Sequence, residues 1–362
     1  MQPWTINIPL LPDEIISSWL VRAALTQGCD PLVLTGSVWP KWRIWTIDAD
    51  RFIENDRLKL LSRLSGISVA SFQESTLYPI SNQIYGCTPP VMSSWRWILT
   101  LGARNTKRNG GMQFCPSCLV SDTKPYYRRQ WRLAWHSCCK IHGTSLLDRC
   151  TSCGAPIEPH RLLAEDGTIA KCATCKTLLS KESIQPAPPM ALAFQNMADQ
   201  CICDGQGSFL GHMVSSSEWL ELASFFESLI RRAHRSSTES LKEFFNQLEL
   251  ELPNDLPVFP GAGIALLRTS ERQKIIGLVY ALMTADRDKF ATALAESGMT
   301  LQTFCNKGEI LPSQLLDISL KLQDKQIVRV RQAKKKLDGP RSKQEVVRMM
   351  ASLQRKFEMV RR

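Results

Sequence analysis

Eight metal-ligand residues in two spaced sets constrain this chain more than any other feature. Cys115-Pro-Ser-Cys118 is followed, after 20 intervening residues, by Cys139-Lys-Ile-His142; after seven more intervening residues, Cys150-Thr-Ser-Cys153 is followed, after 18 more, by Cys172-Ala-Thr-Cys175. A two-residue gap lets two side chains converge on one ion, and two such turns supply the four corners of a tetrahedron at about 2.3 Å per metal–sulfur bond. Four protein ligands leave no coordination position open for substrate. The spacing therefore predicts two structural Zn2+ per chain, which contribute folding energy and not Lewis-acid catalysis. Around one ligand there are alternatives: Cys138 would give a C-x3-H arrangement and His136 is within reach, while C-x2-H reproduces the tight knuckle and selects Cys139. Cys29, Cys87, Cys201, Cys203 and Cys305 belong to no set and read as small buried apolar residues.

Such ligand sets organise short segments, and 362 residues need more core than they provide. With 44% apolar residues the chain has material for two or three units of roughly 100–200 residues each. Natural breaks fall at Asn109-Gly110-Gly111 and at Gln185-Pro-Ala-Pro-Pro189. The expected organisation is an N-terminal helical domain over 1–110, tandem zinc ribbons over 111–184, a C-terminal helical domain over 185–324 and a basic amphipathic tail helix over 325–362. The fold class is mainly α with small zinc-ribbon modules.

In the first domain, Asp13 reads as the N-cap of an amphipathic helix whose Ile16, Trp19, Leu20 and Ala23 recur at steps of 3 and 4. Leu58, Leu61 and Leu64, a turn at Ser65-Gly66 and a second helix after Ser68 look like a helix-turn-helix. Trp39, Trp42 and Trp45 alternate with Lys41 and Arg43 as core, partner surface or stacking strip. From Ser217 on, the pattern predicts helices through Trp219–Leu229 and Leu241–Leu248, then over about 271–284, 286–297 and 312–323. Met1 to Pro12 has no positive n-region followed by an apolar stretch and a cleavage site, so secretion is not expected, and the longest apolar run, Ile275–Met283, is half a membrane span. These features point to a cytoplasmic protein with no membrane partner.

The net charge of +11 suggests a polyanion partner, but its distribution matters more. It divides as +3 over 1–110, +4 over 111–183, −6 over 184–324 and +10 over 325–362. Filling both metal sets converts seven thiols to thiolates and adds two Zn2+, lowering +11 to about +8. Candidate nucleic-acid or partner contacts are therefore local. Arg96, Arg104, Lys107 and Arg108 lie in an acid-free stretch. Arg128, Arg129 and Arg132 interleave with Tyr126, Tyr127, Trp131 and Trp135, rings that equally suit stacking on bases or filling a small core. Arg329, Arg331, Lys334, Lys335 and Lys336 precede an apolar stripe of Val346, Met350, Leu353, Phe357 and Val360, which suits a helix docked on a partner or one covering part of the core.

Set in order, Phe114-Cys-Pro-Ser-Cys-Leu119, Tyr127-Arg-Arg-Gln-Trp131, Cys139-Lys-Ile-His142-Gly, Cys150-Thr-Ser-Cys-Gly154, Pro12-Asp-Glu14 and Ser17-Ser-Trp-Leu-Val-Arg22 resemble the TniQ family of transposon target-selection proteins, over residues 8–183. Ile15 departs from the serine usual after the glutamate. The resemblance implies a non-catalytic adaptor, a homodimer, that recognises target DNA or a bound targeting complex and recruits an AAA+ ATPase of the TniB/TnsC type. In some relatives the targeting complex is a Cascade-type CRISPR effector with guide RNA. It also implies a bacterial cytoplasm, with nucleoid association when engaged. The residues agree with a non-enzyme: there is no acidic triad, no phosphate loop and no nucleophile–base pair. The competing function is a self-sufficient, sequence-specific zinc-containing DNA-binding regulator.

Overall fold

The computed structural model describes residues 2–89, 95–101, 111–181, 184–235, 238–255, 263–306, 309–320, 322 and 350. Its first helix has no wet face over most of its length. α1 (Ile16–Thr26) buries every residue from Ile16 to Ala24. Ile16, Trp19, Leu20 and Ala23 meet Leu34 and Val38 of α2 (Pro31–Val38), Leu58, Leu61 and Leu64 of α3 (Asn55–Ser65) and Phe72 of α4 (Val69–Glu74). On its other side, Ile15 and Val21 enter a second, larger cluster. The expected amphipathic helix is thus buried on more than its apolar stripe, and its start needs correcting. Ile15 is the N-cap, while Asp13 lies before it in the left-handed region at φ 55°.

The helix pair expected around Gly66 forms as α3 and α4. Gly66 closes α3 at φ 77°, and the Ser68 hydroxyl accepts the Ser71 amide at 3.0 Å to start α4. α5 (Tyr78–Tyr85) follows. The tryptophan strip has a packing explanation. Trp39 and Trp42 meet edge to face, Arg57 lies over Trp42, and Trp45 stacks on His160.

The middle segment holds α6 (Pro116–Ser121) and a minimal antiparallel ribbon, β1 (Cys138–Cys139) with β2 (Thr144–Ser145), in register Cys138 to Ser145. Beyond the Pro-rich stretch, which signalled only a boundary, Pro189 opens α7 (Pro189–Asp204). A hairpin then forms from β3 (Gln206–Phe209) and β4 (His212–Ser215), which sequence periodicity had not indicated. A Cβ at Gly207 would sit 2.6 Å from Trp219 and 2.9 Å from the Cys201 sulfur, so only glycine lets the hairpin lie on that ring. α8 (Ser216–Arg235), α9 (Glu239–Gln247), α10 (Thr269–Met283) and α11 (Arg287–Glu296) match the expected periodicity, and α10 packs on both α7 and α8. Of the helix expected over 312–323, the described residues show a 3-10 helix Ser313–Leu315 running into a short α-helix Leu316–Ser319.

One apolar cluster runs from Ile15 and Val21 through Cys115, Trp131 and Trp135 to Phe226 and Leu322. The expected boundaries at 110/111 and 184/185 therefore do not separate independent cores. Residues 1–323 form one compact unit, and 324–362 form a second, in which Met350, helical and exposed, is the residue described. Among the described residues no helix is long and apolar enough to cross a membrane.

Candidate metal centres and the segments around them

Cys115, Cys118, Cys139 and His142 bring one ligand atom each to within 4.8 Å of one another, and so do Cys150, Cys153, Cys172 and Cys175. Local backbone chemistry explains the convergence. In three of the four knuckles the residue four places after the first ligand turns left-handed and donates its amide back to that ligand's carbonyl: Gly143 to Cys139, Gly154 to Cys150 and Lys176 to Cys172, each at 2.9 Å. Glycine suits this conformation in two of them, and Lys176 adopts it at φ 64°. The fourth knuckle, Cys115–Cys118, runs instead into α6.

The distances fit tetrahedral zinc. A tetrahedron with about 2.3 Å to sulfur and about 2.0 Å to nitrogen separates sulfurs by about 3.8 Å and sulfur from nitrogen by about 3.5 Å. In the first set Cys118 and Cys139 sulfurs are 3.6 Å apart, and His142 Nδ1 lies 3.6, 3.4 and 3.4 Å from Cys115, Cys118 and Cys139. In the second, Cys150–Cys175 and Cys153–Cys172 are separated by 3.6 and 3.7 Å. Each set could hold a zinc ion. The neighbouring alternatives are otherwise engaged: Cys138 faces Ser137 and Gln273, and His136 Nε2 is 2.7 Å from Asp199.

Thiols this close compete for charge. Hydrogen bonding from Cys118 and Cys139 holds Cys115 far below the ordinary thiol range, and the same contact with Cys115 pushes Cys118 up. Only a cation among them lets all three ionise together. In the second set burial pushes Cys150 up to about 12, whereas the Thr177 hydroxyl and amide bring the exposed Cys175 down to about 6.

The arginines of the interleaved loop are turned inward. Arg132 is completely buried; its guanidinium reaches Asp48 at 2.6 Å, the buried Asp50 and the Leu99 carbonyl. Arg128 is buried in a bidentate pair with Asp122 at 3.0 and 2.8 Å, with Tyr126 and Trp131 rings against it. Arg129 is partly exposed and engages Asp13 and the Glu74 carbonyl. Trp131 and Trp135 are buried, so the rings fill core instead of offering stacking platforms. Arg96 lies over Tyr85 and within 4.0 Å of Glu221. Arg104, Lys107, Arg108, Arg329, Arg331, Lys334, Lys335 and Lys336 lie outside the described residues.

The same loop is stitched to α1. Ile15 donates to the Tyr127 carbonyl at 3.1 Å, Arg129 to the Asp13 carbonyl at 2.7 Å, and Tyr127 to the Ser18 hydroxyl at 2.9 Å. Ser18 in turn donates to Glu14, which Arg22 grips through two nitrogens at 2.7 and 2.5 Å. Ser17 donates from its amide and hydroxyl to Asp50. Pro12-Asp-Glu14, Ser17–Arg22 and Tyr127–Arg132 therefore form one internal network.

Periodicity and motif spacing did not single out several residues with positional roles. Gln195 of α7 accepts the Ser137 and Cys138 amides and donates to the Cys138 carbonyl; Gln273 of α10 donates to the Ser137 carbonyl. Both brace the strand that carries Cys139. Gln113 links the Trp131 and His136 carbonyls to the buried Arg272. For Gln195 and Gln273 the available hint was a polar residue inside an apolar helical stripe.

These features define a mainly helical protein with two closed Cys/His ligand sets set into a shared core. Residues 5–146 match the TniQ family model, so the chain carries a TniQ domain, which supports a transposition-associated target-selection role. The match includes the internal network and the first ligand set and ends before Cys150. Comparison with curated proteins returned no match.

Proposed function

We propose that the chain is a non-catalytic target-selection adaptor in DNA transposition. It links target DNA, or a targeting nucleoprotein such as a guide-RNA effector complex, to an AAA+ ATPase regulator of the TniB/TnsC type, and works as a homodimer in the bacterial cytoplasm. The observation that carries this reading is the TniQ match over 5–146. The use of its motif residues supports it: Glu14, Ser18, Arg22 and Arg132 are engaged in internal bonds and not aimed into a cleft, as befits a scaffold. Both proposed zinc ions take four protein ligands, and their role is to hold local structure together.

In this reading nucleic-acid contact falls to Arg96, Arg104, Lys107, Arg108 and the basic segment Arg329–Lys336, since Arg128 and Arg132 are engaged internally. Counter-ion release makes such contacts salt-dependent. The test is the purified chain with a duplex target and an AAA+ ATPase of the TniB/TnsC type. Weak, salt-sensitive DNA binding together with co-purification of the ATPase supports the adaptor. Tight, sequence-selective binding to one duplex without any partner overturns it in favour of a DNA-binding regulator.

A further inference from the structure

Solvent reaches the two ligand sets very differently. Cys115, Cys118 and Cys139 are all buried, and the strand carrying Cys139 is braced by Gln195 and Gln273. In the second set Cys153 and Cys175 are exposed, while Cys150 and Cys172 are buried. Each exposed sulfur touches a buried one: Cys175 lies 3.6 Å from Cys150, and Cys153 lies 3.7 Å from Cys172. We propose that the set of Cys150, Cys153, Cys172 and Cys175 is an oxidant-responsive zinc site. A two-electron oxidant of the hydrogen peroxide class converts two of its ligands into a disulfide and releases the ion, while the Cys115 set keeps its own. The proposal rests on the zinc reading of both sets.

The chemistry follows thiolate access. The exposed thiolate of Cys153 or Cys175 attacks the peroxide O–O bond, giving a sulfenic acid and hydroxide. The touching buried thiolate, Cys172 or Cys150, then displaces hydroxide from that sulfur and forms the S–S bond. Two thiolates, one peroxide and two protons become one disulfide and two waters; the sulfurs lose two electrons and the peroxide oxygens gain them. Two remaining cysteines do not complete a tetrahedral site.

The consequence lies in the segment between the two knuckles. Its Ala164 amide donates to Asp30 at 2.7 Å, just ahead of α2, and His160 stacks on Trp45 with ring centres 5.2 Å apart. The second zinc therefore holds this segment against the N-terminal helices, and its release loosens that contact.

The experiment uses the full chain, first assayed for zinc. Two ions per chain are expected; fewer overturns the metal assignment, and the proposal with it, before any oxidant is added. Hydrogen peroxide is then added with a chromogenic zinc chelator present. One zinc per chain should leave in a fast phase and the other at least about tenfold more slowly, the lower end of what outer-shell bracing is worth to a metal site. Peptide mass spectrometry should place the disulfide at Cys150–Cys175 or Cys153–Cys172. A thiol reductant plus zinc should reverse it. The emission change on oxidation should be lost in Trp45→Phe. Release of both ions at one rate, earlier loss from the Cys115 set, or no release while the chain stays folded overturns the proposal. A Trp45-independent emission change overturns the link to the N-terminal helices. Because the wild-type chain supplies both sites, the outcome does not depend on a cysteine variant that fails to fold.

Discussion

Arg22→Met should be among the most destabilising single changes in the N-terminal half. Glu14 is 2% exposed, and its carboxylate takes two bonds from Arg22 at 2.7 and 2.5 Å, one from the Ser18 hydroxyl at 2.9 Å and one from the Leu11 amide at 3.1 Å. Removing the guanidinium leaves a buried charge with two neutral donors and also frees the Pro9 carbonyl, which Arg22 holds at 2.8 Å. Breaking a buried pair from one side costs about 3–5 kcal/mol, a large part of a total stability of about 5–15 kcal/mol. The double variant Glu14→Gln with Arg22→Met removes the stranded charge. It should recover at least about 1.5 kcal/mol relative to Arg22→Met alone. Urea unfolding followed by tryptophan emission, with zinc content checked in each variant, measures all corners of the cycle. A cost below about 1 kcal/mol for Arg22→Met, or no recovery in the double variant, refutes an internal structural pair.

Three further outcomes are expected. Cys115→Ser should lose the first zinc and unfold the shared core, because structural zinc contributes about 10–16 kcal/mol and Cys115 is part of that core; zinc content and thermal melting check this. Gln113→Ala should cost about 2–3 kcal/mol in urea unfolding, since it takes one acceptor from the completely buried Arg272, which keeps the Leu267 carbonyl and the Thr269 hydroxyl, and removes the donor to two carbonyls. Burial and the nearby Arg161 bring His160 down to about 4. Between about pH 6.5 and 4 the unfolded ring binds a proton that the folded ring refuses, so this contribution to stability is present above pH 6.5 and is lost as pH falls, by at most about 1.4 kcal/mol per pH unit. His160→Phe should flatten the stability–pH slope in that window at unchanged zinc content; parallel slopes would refute it.

The grouping of the eight Cys/His residues into two sets and the local helicity were legible because both depend on short spacings. C-x2-C and C-x2-H turns need only a few residues, and their glycines mark the left-handed step; the steps of 3 and 4 in α8 and α10 likewise report a helix face. The charge of the Arg128–Arg132 segment misled for a related reason. Sequence shows a cation and its neighbours along the chain, but the carboxylates that neutralise Arg132, Asp48 and Asp50, lie more than 80 residues away.

By itself the sequence determined which residues group into the two Cys/His sets able to hold a metal, that the chain is mainly helical, and that its excess positive charge concentrates in the last 38 residues. Those properties are set by local geometry and composition. Only the tertiary structure decided that α1 is buried on all sides, that the expected boundaries at 110 and 184 are bridged by one core, and that the motif residues grip one another. It also decided that the cysteines of one ligand set are all buried while the other set exposes two of its four. The physical reason is common to all four: burial and ion pairing are properties of surfaces brought together across long chain separations, and no periodicity along the chain records which surface meets which.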